Sequence, residues 1–298
     1  MTGRNAVCLT VADRHAFAED GVLCLRNALS ANAVDLLRAA VDRQMACLGS
    51  SSTGYDFEAI AHQVWNGDRM VETGSAERFD MERLKDMIRA DPLSRPLQET
   101  VGRGHTGRFF YDVAAWRHDR GVRQVAFDSA LPQIVSQLLE ARYLNFWEDV
   151  TQYVRGSHRW DEIFAPNVFV SQTPIASSAD IRCPDIEAAP ERYDLISFDV
   201  MPGDVIIHHV RTVHGAGGNP SDRWRRAMSF RYCGDKVRYF DRPGAISQVG
   251  VAHDLKNGDR LFSADYPVVW PRPWPGFRMA DAFDAQIRLQ KGAQASTA

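Results

Sequence analysis

One histidine and one arginine stand a short interval apart in a stretch that alternates between strand-like runs and a loose turn. His214 follows the β-branched run 205–207 within a glycine-rich segment, and Arg225 opens a second alternating run that ends at Tyr232. An imidazole nitrogen is a common ligand of divalent transition metals. A guanidinium is permanently charged and offers a planar fork of donors that matches a carboxylate. The pair therefore predicts a metal ligand beside a binding site for an organic acid.

Strand geometry decides which neighbours share the face of these residues. Side chains alternate between the two faces of a strand, so Ala227 and Ser229 are expected on the same inward face as Arg225. His208 and His209 are adjacent on the preceding strand and must point to opposite faces, so at most one of them can face the site. A structural role is the first expectation for each of these two histidines.

A longer sequence pattern contains both candidate residues, His214 and Arg225. It consists of a Gly-Asp turn at 203–204, a hydrophobic strand, His-Gly-Ala-Gly at 214–217 and Arg-Arg-Ala-Met-Ser at 225–229. This pattern resembles the C-terminal half of the phytanoyl-CoA dioxygenase family, whose members are Fe(II)- and 2-oxoglutarate-dependent oxygenases. Further segments that resemble the family lie at 17–25, 143–149, 156–160 and 266–270.

The resemblance implies a fold and a set of roles. The fold is mainly β, a double-stranded β-helix (a cupin-like jelly roll) with flanking N-terminal helices. His214 corresponds to the distal iron ligand. Arg225 corresponds to the residue that binds the distal carboxylate of 2-oxoglutarate, with Ser229 beside it, and no catalytic side chain is expected beyond the metal site. The implied cofactors are Fe(II) and the co-substrate 2-oxoglutarate.

The family's other two iron ligands form a His-x-Asp motif that this sequence lacks. None of the nine histidines is followed two positions later by an acidic residue. The motif belongs between the segment that ends at Asp149 and the segment that begins at Gly156, and here these segments nearly touch. Roughly 40 residues, or about three strands with their turns, are missing. The chain is thus predicted to be a single oxygenase-like domain, 1–298, with an insertion at about 48–108 and a core deletion at about 149–151.

Three alternatives follow, because two imidazoles and one carboxylate are needed to hold Fe(II) while leaving positions open for a 2-oxo acid and dioxygen. The protein is an active oxygenase whose ligand-bearing segment is missing from this sequence. Alternatively, it is a deletion product or pseudoenzyme that keeps a 2-oxo acid-binding or interaction role around Arg225. A third alternative is an unrelated metal site built from His208, His209 and His214.

Composition excludes other classes of function. With 45% hydrophobic residues, 24% charged residues and a net charge of -3, the sequence is typical of an ordinary globular protein without a general attraction for nucleic acid. Its five cysteines include no Cys-x-x-Cys pair, which favours a reducing compartment and predicts a cytoplasmic protein. Neither a signal peptide nor a membrane span is predicted. The expected partners are a small-molecule substrate and dioxygen, and the expected state is a monomer or homodimer.

Several elements should position the site. Residues 11–20 are predicted to form a helix and 22–25 a strand. Ser30 can cap a second helix whose positions 34, 37, 41 and 45 recur at helical spacing. Residues 130–140 predict a helix that leads into a strand at 143–150, and the proline-rich segment 267–275 predicts an extended, packed tail. The expected reaction is oxidation of a C-H bond, by hydroxylation or a related step, in a small organic substrate.

Overall fold

The computed structural model describes nine parts of the chain, and every structural statement below refers to them: 8–46, 54–56, 110–112, 115–147, 152–165, 181–215, 225–240, 255–261 and 266–271. The predicted deletion at about 149–151 lies outside the described residues. So does the predicted insertion at about 48–108, apart from the strand at 54–56.

The described residues form five α-helices and twelve β-strands. The helices are α1 Val11–Asp20, α2 Ala31–Ala46, α3 Ala115–His118, α4 Arg120–Asp128 and α5 Leu131–Leu138. The strands are β1 Val22–Leu25, β2 Gly54–Asp56, β3 Phe110–Asp112, β4 Leu144–Trp147, β5 Gln152–Val154, β6 Phe164–Ala165, β7 Ile181–Arg182, β8 Leu195–Ile196, β9 Val205–His208, β10 His214–Gly215, β11 Arg231–Gly234 and β12 Val268–Trp270.

Helix α1 begins and ends where its sequence signals predict. The Thr10 hydroxyl accepts a hydrogen bond from the Asp13 amide at 3.1 Å, and the Asp13 carboxylate accepts one from the Thr10 amide at 2.8 Å. This reciprocal capping box satisfies two amides that have no partner within the helix. Gly21 ends the helix with a left-handed φ of 73°, and its amide donates to the Phe17 carbonyl at 3.1 Å.

Helix α2 has the predicted cap but a slightly rotated buried face. The Ser30 hydroxyl accepts a hydrogen bond from the Ala33 amide at 3.3 Å. The predicted stripe at 34, 37, 41 and 45 is half-buried, whereas Ala33 and Ala40 are the fully buried positions. Small side chains allow α2 to approach its neighbours closely, so they occupy the centre of the contact.

Helix α4 was not predicted from the sequence. Its N-terminus is capped by Asp119, whose carboxylate accepts from the amides of Gly121 at 2.8 Å and Val122 at 3.0 Å. The same carboxylate accepts two hydrogen bonds from Arg43 of α2, at 3.0 and 2.6 Å. Asp119 therefore caps one helix and ties it to another. The apolar face of α4 then joins the main core cluster, which contains Ala40, Trp116, Val122, Ala126, Phe127, Leu144 and Val269.

The strands form small sheets in which distant segments pair. β1 pairs antiparallel with β9, so that Val22 lies opposite His208. β4 lies between β11 and β12, and β5 lies between β10 and β8. The remaining pairs are β2 with β3 and β6 with β7. The fold is therefore rich in β-structure, as predicted, but the sheets of the described residues do not close into a barrel.

Two features of the strands concern the site, and the second differs from the prediction. β4 and β5 flank residues 148–151 yet belong to different sheets, so the chain changes sheet across this junction. The strand expected to carry Arg225 begins only at Arg231, because its ladder with β4 ends at the pair Arg231–Trp147. Residues 225–230 have no β assignment. Near the other end of the chain, Pro267, Val268 and Val269 are buried, in agreement with the first part of the predicted packed tail, whereas residues 272–275 lie outside the described residues. No helix in the described ranges is long and apolar enough to cross a bilayer.

Candidate metal and organic-acid site

The candidate site is organised by a corner at 209–213, where the chain leaves β9 and enters β10. The Thr212 amide donates to the His209 carbonyl at 2.9 Å, which closes the turn. Because β9 pairs with β1 while β10 pairs with β5, the corner carries the chain from one sheet to another. His208 is the last residue before this corner, and His214 is the first residue after it.

The junction of α1 and β1 holds one side of the corner. The carbonyl of Gly21 accepts hydrogen bonds from the His209 amide at 2.8 Å and from the Thr212 hydroxyl at 2.9 Å. Thr212 is only 1% exposed. A Cβ atom at Gly21 would lie 2.3 Å from Nδ1 of His158 and 2.7 Å from Oγ1 of Thr212. Glycine at this position thus serves both the left-handed helix end and the close approach of the corner.

A Gly-Ser-His segment holds the other side of the corner. The Ser157 hydroxyl accepts a hydrogen bond from the Val213 amide at 2.8 Å and donates to the Val154 carbonyl at 2.7 Å. The Val154 amide donates to the Val213 carbonyl at 2.8 Å. His158 lies in the 3-10 turn Ser157–Arg159, and its Nε2 is 3.0 Å from the Ala18 carbonyl. His158 is therefore a turn histidine held by the backbone of α1.

A carboxylate at the start of β9 fixes the position of that strand. Asp204 accepts hydrogen bonds from the Met201 amide at 3.0 Å, the Asn27 amide at 2.9 Å and the Arg26 guanidinium at 2.8 Å. The two amides, followed by the Arg26 side chain, lower the pKa of this carboxyl from 3.8 to about 2. The Gly-Asp turn of the sequence pattern thus anchors β9 to the segment that follows β1.

The corner brings two imidazole rings together. The ring centroids of His208 and His214 lie 4.8 Å apart, and the rings are tilted by 52°. The buried ring of Tyr153, on β5, lies beside both, with centroid distances of 5.1 Å to His208 and 6.2 Å to His214. His208 is half-buried and His214 is exposed. The sequence placed His214 in the site by resemblance, but it predicted a structural role for His208.

Backbone carbonyls orient both imidazoles. Nδ1 of His214 lies 2.7 Å from the Thr212 carbonyl, and Nδ1 of His208 lies 3.3 Å from the His209 carbonyl. A carbonyl oxygen only accepts, so each contact favours the tautomer with hydrogen on Nδ1 and a lone pair on Nε2. This is the tautomer in which Nε2 can bind a metal.

His209 belongs to a separate environment, as strand alternation predicts. Its ring centroid lies 5.4 Å from that of His158. Burial lowers the pKa of His209, and the nearby His158 and Arg211 lower it further. Because His208 and His209 point to opposite faces, they cannot ligate one ion together with His214. The alternative of a metal site built from these three histidines is therefore wrong.

The two residues predicted to bind 2-oxoglutarate differ in exposure. Arg225 is exposed rather than inward, because residues 225–230 are not held in a ladder that would impose alternation. Ser229 is 8% exposed, and its buried hydroxyl has no hydrogen-bond partner in the described part of the chain. Its neighbours Met228 and Phe230 pack against the main core cluster. A buried hydroxyl without a partner is unfavourable, which fits a position that meets a polar ligand.

The metal donors of the described residues are incomplete. Among these residues no group of three or more His, Cys, Asp or Glu side chains is placed to hold a metal ion. His208 and His214 offer two imidazoles, whereas a facial triad also needs a carboxylate. Glu148 and Asp149 lie outside the described residues. The site thus fits the imidazole part of an iron centre and not the whole of it, and no described contact joins Arg225 or Ser229 to His214.

Comparisons with known proteins support the resemblance. Residues 150–227 match the family described as Phytanoyl-CoA dioxygenase (PhyH), which confirms the predicted similarity over the corner and over the segment that carries Arg225. The match begins at residue 150, next to the junction where the sequence analysis expects the His-x-Asp segment to be missing. A comparison with curated proteins gives no significant match.

Two solved structures from nogalamycin biosynthesis are similar to this chain over about nine tenths of its length. The non-heme alpha ketoglutarate dependent carbocyclase SnoK is 18% identical, with a TM-score of 0.50, and the match covers 90% of this chain and 99% of that one. The non-heme alpha ketoglutarate dependent epimerase SnoN is 16% identical, with a TM-score of 0.51, and the match covers 89% and 97%. At these identities the likeness concerns the fold.

Proposed function

We propose that this protein is a non-haem Fe(II)- and 2-oxoglutarate-dependent oxygenase that oxidises a C-H bond of a small organic substrate on a jelly-roll scaffold. The observation that carries the proposal is the family match at 150–227, which spans both His214 and Arg225. The fold likeness to two alpha ketoglutarate dependent enzymes supports it, as well as the cofactor prediction of Fe(II) and 2-oxoglutarate. These two enzymes are a carbocyclase and an epimerase, so the oxidation of this substrate need not end in hydroxylation.

The chain's own residues have defined tasks in this proposal. Bound Fe(II) supplies the redox chemistry, in which 2-oxoglutarate is decarboxylated to succinate and dioxygen provides the oxidising equivalents. His214 presents Nε2 to the metal because the Thr212 carbonyl holds the proton on Nδ1. Arg225 pairs with the distal carboxylate of 2-oxoglutarate, and the buried Ser229 hydroxyl donates to the same carboxylate. The buried ring of Tyr153 covers one side of the half-buried His208.

One observation favours a second candidate function. Among the described residues, no three side chains that could ligate a metal lie close enough together to hold one ion. If the remaining ligands are absent from the whole protein, the chain is a pseudoenzyme that keeps a 2-oxo acid pocket around Arg225. Such a protein binds 2-oxoglutarate without needing iron.

Turnover and metal content separate the two functions. Purified protein is loaded with Fe(II) without oxygen, its bound iron is counted, and succinate formation from 2-oxoglutarate is then followed after air is admitted. An oxygenase holds stoichiometric iron and forms succinate, whereas a pseudoenzyme binds 2-oxoglutarate equally well with and without iron. Intact-mass spectrometry adds a direct check of the junction, since a mass of 33.5 kDa shows that no residues are missing from the sequence.

A further inference from the structure

We propose that Ile196 and Phe198 form a substrate-binding face beside His214, and that the substrate presents an uncharged, apolar portion of its carbon skeleton to them. This inference rests on the proposed function, because it names the class of substrate that the same site accepts. Three features carry it, and none of them requires a bound metal. They are the position of both residues on the face of His214, the apolar character of that face and the backbone contacts that hold it.

Strand pairing places Ile196 on the same face of the sheet as His214. β5 lies between β10 and β8, and Tyr153 of β5 lies opposite His214 on one side and opposite Ile196 on the other. Residues that lie opposite each other in a ladder share one face, so these three side chains form a row across the sheet. Neighbouring strands are about 4.8 Å apart, which puts the backbone of Ile196 about 10 Å from that of His214. A small organic molecule can span this distance.

The ring of Phe198 extends this row beyond the end of β8. Its centroid lies 6.5 Å from that of Tyr153, and the two rings are tilted by 53°. The centroid of the His214 ring lies 6.2 Å from the same tyrosine ring. Leu195 and Val154 pair in the next row of the ladder, so their side chains lie on the opposite face of the sheet. Phe198 therefore belongs to the face that carries His214.

The chemistry of the two side chains selects an apolar ligand. Ile196 and Phe198 are half-buried and His214 is exposed, so part of the apolar surface of this face is in contact with water. A ligand that covers this surface removes it from water, which is favourable in proportion to the area. The ring of Phe198 also favours contact with an unsaturated or aromatic group. A charged group placed against either side chain would lose its hydration without gaining a partner.

Backbone contacts hold the segment that carries β8 and Phe198 at both ends. Before β8, the Arg155 amide donates to the Asp194 carbonyl at 2.8 Å. After Phe198, the carbonyl of Asp199 accepts a hydrogen bond from the Arg26 guanidinium. Because the segment is already in place, little ordering opposes the binding of a ligand.

The test measures the binding of N-phenyl-1-naphthylamine, a neutral dye that fluoresces in apolar surroundings, to the metal-free full chain. Leu195→Ala is the matched control for Phe198→Ala, because Leu195 is 49% exposed and lies on the other face of β8. We expect Phe198→Ala to weaken dye binding by about fivefold or more, and Leu195→Ala by less than about twofold. Phe198→Leu keeps an apolar side chain and should lie between Phe198→Ala and the wild type.

Two further measurements give the charge preference and the location of the site. The dye 8-anilino-1-naphthalenesulfonate has the same rings with an added sulfonate, and we expect it to bind more weakly than the neutral dye. Diethyl pyrocarbonate modifies accessible imidazoles. Bound neutral dye should slow the modification of His214 in proportion to its occupancy, and it should leave His15, which is exposed on α1, unaffected. This protection is measured on the wild type, so it decides the outcome even if Phe198→Ala fails to fold.

Each outcome has a defined meaning. Dye binding that Phe198→Ala leaves unchanged, or that Leu195→Ala weakens equally, overturns the inference, and so does a His214 that saturating dye does not protect. Tighter binding of the sulfonate overturns the uncharged class of substrate. Protection of His214 that needs no dye and grows with protein concentration assigns the face to a second copy of the chain and also overturns the inference.

Iron content and succinate formation test the proposed function separately. A protein that binds the dye through Phe198 but holds no iron and forms no succinate overturns the oxygenase and keeps an apolar ligand site. A protein that forms succinate but does not bind the dye through Phe198 overturns only the assignment of this face.

Discussion

The hydroxyl of Thr212 donates a hydrogen bond of 2.9 Å to the carbonyl of Gly21, a residue 191 positions earlier in the chain. Thr212 is 1% exposed, and the same carbonyl also accepts from the His209 amide. The end of the first helix therefore holds the corner that separates His208 from His214. The spacing of the two imidazoles thus depends on the N-terminal segment as much as on the strands that carry them.

Replacing Gly21 with alanine should destabilise the protein strongly. The new Cβ would lie 2.3 Å from Nδ1 of His158, and the residue would have to keep a φ of 73°. We expect a loss of about 3 kcal/mol or more in the free energy of unfolding, measured by urea denaturation. Gly258→Ala is the control, because Gly258 has a φ of 96° but an added Cβ there would meet no atom of the described residues within 4 Å. Its loss should be only about 1–2 kcal/mol. Equal losses would mean that the close approach at Gly21 contributes nothing.

Replacing Arg225 with alanine should weaken 2-oxoglutarate binding by about thirtyfold, or about 2 kcal/mol, because the carboxylate loses a charged, bidentate donor. Arg225→Lys should lie between the two, since an ammonium group keeps the charge but not the fork. Arg226→Ala is the matched control. Arg226 pairs with Asp42 at 2.7 Å on the surface, and such exposed pairs contribute little. Titration calorimetry with 2-oxoglutarate measures all three, and an unchanged affinity in Arg225→Ala removes Arg225 from the site.

Local signals in the sequence predicted the elements they control. The helix predicted at 11–20 matches α1, which ends at Gly21, and the β-branched run after Asp204 matches β9. Helix α4 was missed although its cap, Asp119, precedes a run with apolar residues at helical spacing. The strand expected from Arg225 was placed too early, because a strand needs a partner and the pairing with β4 is not visible in the sequence of one strand.

The site could be predicted only in part for the same reason. His214 was identified by resemblance, and its role and that of Arg225 stay predictions. The closeness of His208 to His214 depends on contacts that join residues far apart in sequence, chiefly those of Gly21 and Ser157 with the corner. One signal was available beforehand. Val205 and Ile207 pack against the hydrophobic clusters, so His208 lies on the other face of β9. Strand alternation also separates His208 from His209.

Thiol reactivity should follow burial in this protein. Burial raises the pKa of the Cys233 thiol to about 11, so its reactive thiolate is scarce near pH 8. Cys8 is exposed. We expect a maleimide to modify Cys8 quickly and Cys233 slowly in the folded protein, and both quickly in urea, with peptide mass spectrometry identifying the sites. Rapid labelling of Cys233 without denaturant would contradict the raised pKa of its thiol.

Asp204 should make the free energy of unfolding depend on pH in the acid range. Its pKa in the folded state is about 2, below the ordinary value of 3.8, so the unfolded chain takes up a proton first as the pH falls. The contribution of Asp204 is therefore complete above about pH 4 and is lost progressively between about pH 4 and pH 2. Asp204→Asn should be less stable than the wild type at pH 7, and this difference should shrink over that interval. Asp35→Asn is the control, because Asp35 forms only an exposed pair with Arg38 at 3.4 Å. Urea denaturation of the three proteins between pH 2 and pH 7 measures the effect, and a difference between wild type and Asp204→Asn that stays constant with pH would show that Asp204 does not anchor β9 through its charge.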